Sequence, residues 1–108
     1  MQKYRIKYFF DYECSCLWSA DDATKKRFDY PISPESLPLS KDSLKKIEEA
    51  CRFFDTRLDW NDPGGPSPWK KEDCEKFNKI SKELFELIKN ELGEKFEIIN
   101  EQSEIKEE

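Results

Sequence analysis

The chain has 108 residues, of which 40% are charged and 36% hydrophobic, and its formal net charge is −5. This length is enough for one compact domain, and the negative charge disfavours direct nucleic-acid binding because phosphate backbones are repelled. The sequence contains no histidine, so the side chain that most often acts as a general base or a metal ligand near neutral pH is missing.

Residues 4–18 alternate in polarity. The even positions from Tyr4 to Trp18 are apolar or aromatic, and the odd positions are mostly polar. A period of two predicts a long β-strand, or two short strands in line, whose even side chains face the core. Charges interrupt the amino-terminal segment where a signal peptide would be apolar, and no run of about 20 apolar residues could span a membrane. We therefore expect a cytoplasmic protein with reduced cysteines.

Residues 20–40 show no period. A short helical turn is expected at 21–28, and the prolines that follow prevent a longer helix. The stretch YPISPESLPLS is expected to wrap over the core, with Ile32, Leu37 and Leu39 packed inward.

Two amphipathic helices follow. Ser40 is a plausible N-cap for a helix at about 41–56, whose apolar residues recur every three or four positions. A proline- and glycine-rich turn then precedes Ser67-Pro68, a pair typical of a helix start, and the second helix should span about 68–92. Gly93 stands where a left-handed C′ residue is wanted.

A short strand, KFEII at 95–99, completes a β-α-α-β order. This order predicts an α+β domain over residues 1–100, with the final strand antiparallel to the long first strand and both helices on one face. The acidic segment 101–108 is expected to be a flexible tail. The uncovered edge of the amino-terminal strand could support a homodimer.

The four cysteines lie at positions that a small hydrophobic residue would fill: Cys14, Cys16, Cys51 and Cys74. The functional alternative is a zinc site, but structural zinc sites usually use C-x2-C knuckles, and here the paired cysteines have only one residue between them. We predict no metal and no cofactor. A β-bulge at the Cys14–Cys16 pair would expose one sulfur.

Asp55, Asp59 and Asp62 could suggest a calcium loop, but Pro63 and Lys70 occupy positions where that pattern requires ligands. Turn formation is the better interpretation. Trp60 and Trp69 flank the proline- and glycine-rich turn. They either clamp this loop against the helices or anchor a protein partner, since aromatic residues ringed by acids make effective binding hot spots.

Several short motifs occur in order: CLWS, LPLS, DTRLDW, PSPW, FN and the closing LG. In this order the chain resembles a group of small, stand-alone bacterial proteins over about residues 12–98. In its size, acidity and lack of catalytic residues it is also similar to immunity proteins that neutralise secreted bacterial toxins. The second resemblance implies a non-enzymatic inhibitor.

The leading hypothesis is a cytoplasmic binding protein of the immunity type, which occludes a basic toxin such as a nuclease. Its acidic surface would steer the partner and exposed aromatic residues would hold it. The expected contact residues are Asp55, Asp59, Trp60, Asp62, Trp69, Asp21 and Asp22. Two alternatives remain open: a small enzyme that uses a carboxylate or a cysteine thiolate, and a self-associating structural module.

Overall fold

A computed structural model describes residues 3–107. Three strands, three α-helices and two 3-10 turns follow one another in the order β1 (Tyr4–Tyr8), β2 (Leu17–Ser19), α1 (Asp22–Phe28), a turn (Pro34–Ser36), α2 (Lys41–Asp55), α3 (Lys71–Leu92), a turn (Gly93–Lys95) and β3 (Phe96–Asn100). The predicted α+β class is confirmed, and so are the short helix after residue 20 and strands near both ends of the chain.

The sheet has the strand order β2-β1-β3, with β1 antiparallel to β2 and parallel to β3. The predicted antiparallel pairing of the first and last strands is therefore wrong. The reason is an additional reversal of the chain, because β2 runs back along β1. After it, α2 runs in the direction of β1, α3 runs opposite to it, and β3 again runs in the direction of β1. With β1 in the centre, its edges are both occupied, and a homodimer through the edge of the amino-terminal strand is ruled out in this fold.

The alternating segment is a hairpin and not one straight strand. The Phe9 N–H donates to the Cys16 carbonyl over 3.1 Å, and Glu13 adopts a positive φ of 58° in the turn between them. The turn interrupts the alternation of inward and outward side chains, so Cys14 is exposed while Cys16 is buried. The prediction that Cys14 belongs to the core is wrong, and the exposed sulfur follows from a turn and not from a bulge.

The outer edge of β2 is covered by the 30–32 segment. The Ser19 N–H donates to the Tyr30 carbonyl over 2.8 Å, and the Ile32 N–H donates to the Leu17 carbonyl over 2.9 Å. All residues of β2, including Ser19, are buried as a result. Ile32 and Leu37 are buried in the core and Leu39 is partly buried against it, which confirms the predicted wrap.

Helices α2 and α3 are antiparallel and cover the face of the sheet that carries Ile6 and Tyr8. The Tyr8 hydroxyl donates to the Ser81 carbonyl of α3 over 2.9 Å, and Phe10 packs edge-on against Phe77 with ring centroids 5.0 Å apart. This arrangement fixes the carboxyl end of β1 between the end of α2 and the start of α3. No helix formed by residues 3–107 is long and apolar enough to cross a membrane.

The predicted helix ends are confirmed in three places and wrong in one. Ser40 caps α2 by accepting from the Ser43 N–H over 3.1 Å, α2 ends at Asp55, and Gly93 follows α3 with a φ of 70°. The start of α3 lies at Lys71 and not at Pro68, because the Ser67 hydroxyl donates to the Arg57 carbonyl and stays in the loop.

The described part of the acidic tail, residues 101–107, lies along α3. Ile105 is buried, and its backbone N–H and carbonyl bond to the side-chain amide of Asn78, each over 2.9 Å. Gln102 accepts from the Phe10 N–H over 2.9 Å. The charge pattern of the tail did not predict these contacts, which direct it inward, toward β1 and α3.

Candidate partner-binding site

Two acidic turns that are distant in sequence lie against each other. The backbone N–H of Glu13, between β1 and β2, donates to Asp55 Oδ1 at the end of α2 over 2.9 Å. We call residues 11–14 and 55–62 together the acidic turn pair. Its basic residue is Arg57, against the carboxylates of Asp11, Glu13, Asp55, Asp59 and Asp62. The pair is therefore a local concentration of negative charge.

Trp60 is the exposed aromatic side chain of the acidic turn pair. Its relative exposure is 49%, and among residues 3–107 the only other exposed large hydrophobic side chain is Tyr30. The indole N–H donates to the Asp55 carbonyl over 2.9 Å, and the ring meets the Tyr12 ring edge-on at 6.1 Å. Arg57 in turn donates to the Tyr12 hydroxyl over 3.1 Å. These contacts hold Trp60 in one orientation at the surface, which lowers the entropy lost when a partner binds.

The aspartates of the 55–62 segment also shape the backbone of the turn. Asp59 Oδ1 accepts from the Asn61 N–H over 3.0 Å, and the Asp62 carbonyl accepts from the Gly65 N–H over 2.9 Å. The predicted turn-forming role is confirmed for the side chain of Asp59, whereas Asp62 takes part in the turn through its backbone carbonyl. Within residues 3–107 no group of three or more His, Cys, Asp or Glu residues is arranged to hold a metal ion.

Trp69 lies inside the protein, although it is close to Trp60 in sequence. Its relative exposure is 5%, its ring stacks on Phe53 at a centroid distance of 4.7 Å, and its indole N–H donates to the Thr56 hydroxyl over 2.8 Å. The expectation of an exposed Trp69 anchor is wrong, because this side chain clamps the loop onto α2.

Asp21 and Asp22 lie away from the other predicted contact residues. Asp21 caps α1 by accepting from the Thr24 N–H over 2.9 Å, and Thr24 in turn accepts from the backbone of Arg5 over 2.8 Å. The acidic turn pair follows Phe10, at the other end of β1. Arg5 and Phe10 are five positions apart in extended chain, a distance of about 17 Å, so the structure does not bring the two sets of acids together.

Burial and charge make the thiols of Cys14, Cys16 and Cys74 poor nucleophiles. Desolvation first, and then the nearby carboxylates of Asp11 and Asp55, raise the pKa of Cys14. A hydrogen bond with Cys51 together with burial raises the pKa of Cys16, and burial raises the pKa of Cys74. A catalytic thiolate requires the opposite shift. Cys14 and Cys51 line a surface groove of about 430 Å³ beside the start of α2.

The carboxyl groups whose pKa is displaced are shifted downward. Hydrogen bonds from Thr24 lower the pKa of Asp21, those from Ser40 and Ser43 lower that of Glu91, and those from Ser33 and Lys82 lower those of Glu35 and Glu104. A general acid near neutral pH requires a raised value. These groups are held as carboxylates, which suits structural and electrostatic roles.

Sequence reasoning missed Tyr12 and the contributions of Asp11 and Glu13 to the site. It treated these residues as part of a straight strand, with the acids on a solvated face. A signal was present in the sequence: DYEC is followed by Ser-Cys, and polar and acidic residues crowd the middle of the alternating segment. Such a cluster between two apolar runs is typical of a hairpin turn.

Comparisons with known proteins agree with a binding role. A family model described as Serratia CdiI immunity protein-like matches residues 4–103. A search of the curated proteins finds no match. The matched segment contains the whole sheet, all three helices and both halves of the acidic turn pair. The match to this family favours a non-enzymatic inhibitor that binds a protein toxin. The chain belongs to the Serratia CdiI immunity protein-like family.

Proposed function

We propose that the protein inhibits a basic toxin, such as a nuclease, by covering the toxin's functional surface with the acidic turn pair. The family supports an immunity-type inhibitor, and the nature of the partner and the contact residues are our proposal. The observation that carries it is Trp60: a large aromatic side chain, half exposed, held in place and flanked in sequence by Asp59 and Asp62. Tryptophan is among the residues most enriched in the energetic centres of protein interfaces.

The charges around Trp60 indicate the sign of the partner. Asp62 is exposed and Asp59 is partly exposed, while Asp11 and Glu13 extend the same surface from the neighbouring turn. Carboxylates placed around an aromatic anchor attract Lys and Arg side chains during encounter, which raises the association rate more than it slows dissociation. The net charge of −5 acts in the same direction at long range.

The surface also explains inhibition without catalysis. A toxin that acts on nucleic acid needs a basic surface for phosphate contacts, and an acidic surface bound there would compete with the substrate. In this proposal Asp55, Asp59, Asp62 and Trp60 make the contacts. Trp69 supports the loop from below, and Asp21 and Asp22 contribute only to the long-range field.

The test uses a toxin that forms a stable complex with the chain when the two are purified together. The triple variant Asp59→Lys, Asp62→Lys, Trp60→Ala should weaken binding at least about 100-fold, since a hot-spot residue alone is worth about 2 kcal/mol or more. The association rate of the wild type should fall as salt is added. Calorimetry and stopped-flow fluorescence measure the two effects.

Asp22→Lys provides the matched control for Asp62→Lys. Both substitutions change the net charge by the same amount, and both residues are exposed, but only Asp62 lies in the acidic turn pair. We expect Asp22→Lys to lower the association rate slightly and to leave the dissociation rate unchanged. Equal effects of the two single variants, or wild-type binding by the triple variant, would show that the site lies elsewhere. An association rate that does not depend on salt would rule out a basic partner surface.

A further inference from the structure

The two edges of the sheet differ, and only one of them is covered. The outer edge of β2 bonds to the 30–32 segment, with Trp18 bridged to Pro31. β3 has β1 as its neighbour on one side, and among residues 3–107 no strand pairs with its other side. The tail after β3 turns toward Phe10 and α3, so it does not cover this edge.

The parallel register fixes which backbone groups of β3 point outward. The Glu101 N–H donates to the Tyr8 carbonyl over 2.9 Å, and Tyr8 is aligned with Asn100. In a parallel ladder this means that residues 97, 99 and 101 bond inward to β1, whereas 96, 98 and 100 point outward. The Phe96 N–H is used by the preceding turn, where it donates to the Gly93 carbonyl. The outward edge therefore offers the Phe96 carbonyl and both backbone groups of Ile98 and Asn100.

We propose that this edge pairs with β3 of a second copy of the chain, antiparallel about a two-fold axis at Ile98, to form a continuous six-stranded sheet. Ile98 would exchange both of its backbone hydrogen bonds with Ile98 of the second copy. The Asn100 N–H would donate to the Phe96 carbonyl across the axis. The alternation of inward and outward backbone groups along β3 suits this pairing. Every residue that must bond to the second copy is one whose backbone groups do not bond to β1.

The side chains are self-complementary in the same register. Lys95 stands opposite Glu101 of the second copy, and Glu97 stands opposite Ile99, so no like charges face each other. Both Lys95 and Glu101 are exposed, and no ion pair joins either of them to another residue in the described range 3–107. Opposite charges in directly facing positions stabilise an antiparallel pair. The partly buried Ile98 side chains would meet at the axis on the face that the helices cover.

A second copy fits the edge better than an unrelated strand does, because one register satisfies backbone parity, charge and apolar contact at once. Native proteins commonly protect an exposed edge with proline, a bulge or uncompensated charge. The strand Phe96–Asn100 contains no proline, and the charges that flank it are compensated by the same residues of a second copy. The acidic turn pair includes the β1–β2 turn, which lies on the side of β1 away from β3, so it stays accessible in the dimer.

Sedimentation equilibrium of the full chain from about 10 μM to 1 mM tests this inference. We expect reversible dimerisation of the wild type, and about tenfold weaker association for Lys95→Glu or Glu101→Lys alone, since each creates facing like charges on both sides of the axis. The double variant Lys95→Glu, Glu101→Lys restores opposite charges and should return to within about twofold of the wild type. Thermal unfolding and circular dichroism of each variant verify the fold.

Amide hydrogen exchange gives an independent reading. The N–H groups of Ile98 and Asn100 should exchange fast at low concentration and become protected as the dimer forms, while Ile99 is protected throughout by β1. A chain that stays monomeric at 1 mM overturns the proposal, and so does a dimer that ignores the charge swap. Protection of Ile98 that requires the toxin, in a monomeric protein, would assign the edge to a toxin strand instead. Binding to the toxin through Trp60 is measured separately with the Trp60 variants, and it does not depend on whether the chain dimerises.

Discussion

Trp60 and Trp69 stand at the two ends of one turn, yet they belong to different parts of the molecule. Trp60 is 49% exposed and is supported from the side by Tyr12, whereas Trp69 is 5% exposed and stacks on Phe53. Each indole N–H has a partner, the Asp55 carbonyl for Trp60 and the Thr56 hydroxyl for Trp69. Hydrogen bonding thus does not distinguish them. Their burial does.

The difference separates residues that hold the loop from residues that the loop presents. Trp69 fills space between α2 and α3 and fixes the 56–69 segment, and Trp60 is then carried outward on a loop with a defined shape. A binding residue on a loop is precise only when its supporting side chains are locked by packing. We therefore predict that substitution of Trp69 lowers stability and substitution of Trp60 weakens binding.

The largest effect on stability is expected for Trp69→Ala. Removing a buried aromatic side chain leaves a cavity, and the free energy of unfolding should fall by about 3 to 5 kcal/mol. Urea denaturation followed by circular dichroism measures the change. Trp69→Phe keeps the stacking on Phe53 and loses only the bond to Thr56, so its effect should be smaller. A loss below about 1 kcal/mol for Trp69→Ala would contradict the clamping role.

Trp60→Ala should show the reverse behaviour. Half of this side chain is already in solvent, so the free energy of unfolding should change by less than about 1 kcal/mol. Binding to the toxin should weaken by about 2 kcal/mol or more, equivalent to about 30-fold. Titration calorimetry and urea denaturation on the same preparation compare the two quantities. A variant that loses stability and keeps its affinity would reverse the assignment of the two tryptophans.

Much of the fold could be predicted from local pattern, because α2 and α3 each carry an apolar stripe with a helical period. The stripe Leu44 to Phe54 and the cap at Ser40 gave α2 almost to the residue. The direction of β3 could not be predicted in this way. It depends on the number of chain reversals before it, and one missed hairpin at residues 9–16 changes parallel to antiparallel.

Only one of the two segments of the candidate site could be predicted from the sequence. The 55–62 segment was recognisable from Asp59, Trp60 and Asp62, because acids and an aromatic residue are adjacent in sequence. The contribution of Asp11 and Glu13 depends on the hydrogen bond from the Glu13 backbone to Asp55, a contact across 42 residues that no local pattern contains. Burial of Trp69 likewise depends on the packing of α2 against α3.

Cys14 and Cys16, which have one residue between them, differ in burial as the two tryptophans do. Cys16 is buried, so Cys16→Ser places a hydroxyl in an apolar site and should lower the free energy of unfolding by about 1 to 3 kcal/mol. Cys14→Ser, at an exposed position, should change it by less than about 0.5 kcal/mol. Chemical denaturation of both variants measures the difference, and equal losses would place both side chains in the core.

The reactivity of Cys14 follows from its neighbours. Because desolvation and the carboxylates of Asp11 and Asp55 raise the pKa of this thiol, the thiolate fraction at neutral pH should be below that of an ordinary cysteine. Modification by a disulfide reagent should be slow at pH 7 and rise with pH beyond the usual range of a free thiol. Fast modification at pH 7 would revive the thiolate enzyme that the sequence left open.

The smallest effect is expected for Glu91, a surface acid with a structural role that contrasts with Asp62. Hydrogen bonds from the Ser40 N–H, over 2.8 Å, and from the Ser43 hydroxyl lower the pKa of Glu91 below its ordinary value. A carboxyl group whose pKa is lowered by folding stabilises the fold above the unfolded-state pKa, and this contribution disappears as the pH falls through the folded-state pKa. Glu91→Gln should therefore be less stable than the wild type at pH 7. The difference should begin to shrink near the ordinary glutamate pKa of about 4.3 and vanish only below the lowered pKa of Glu91. Asp62→Asn, whose side chain holds no helix end, should match the wild type at both pH values. Thermal unfolding across this pH range decides the matter, since a difference between wild type and Glu91→Gln that persists in acid would exclude the carboxylate as its cause.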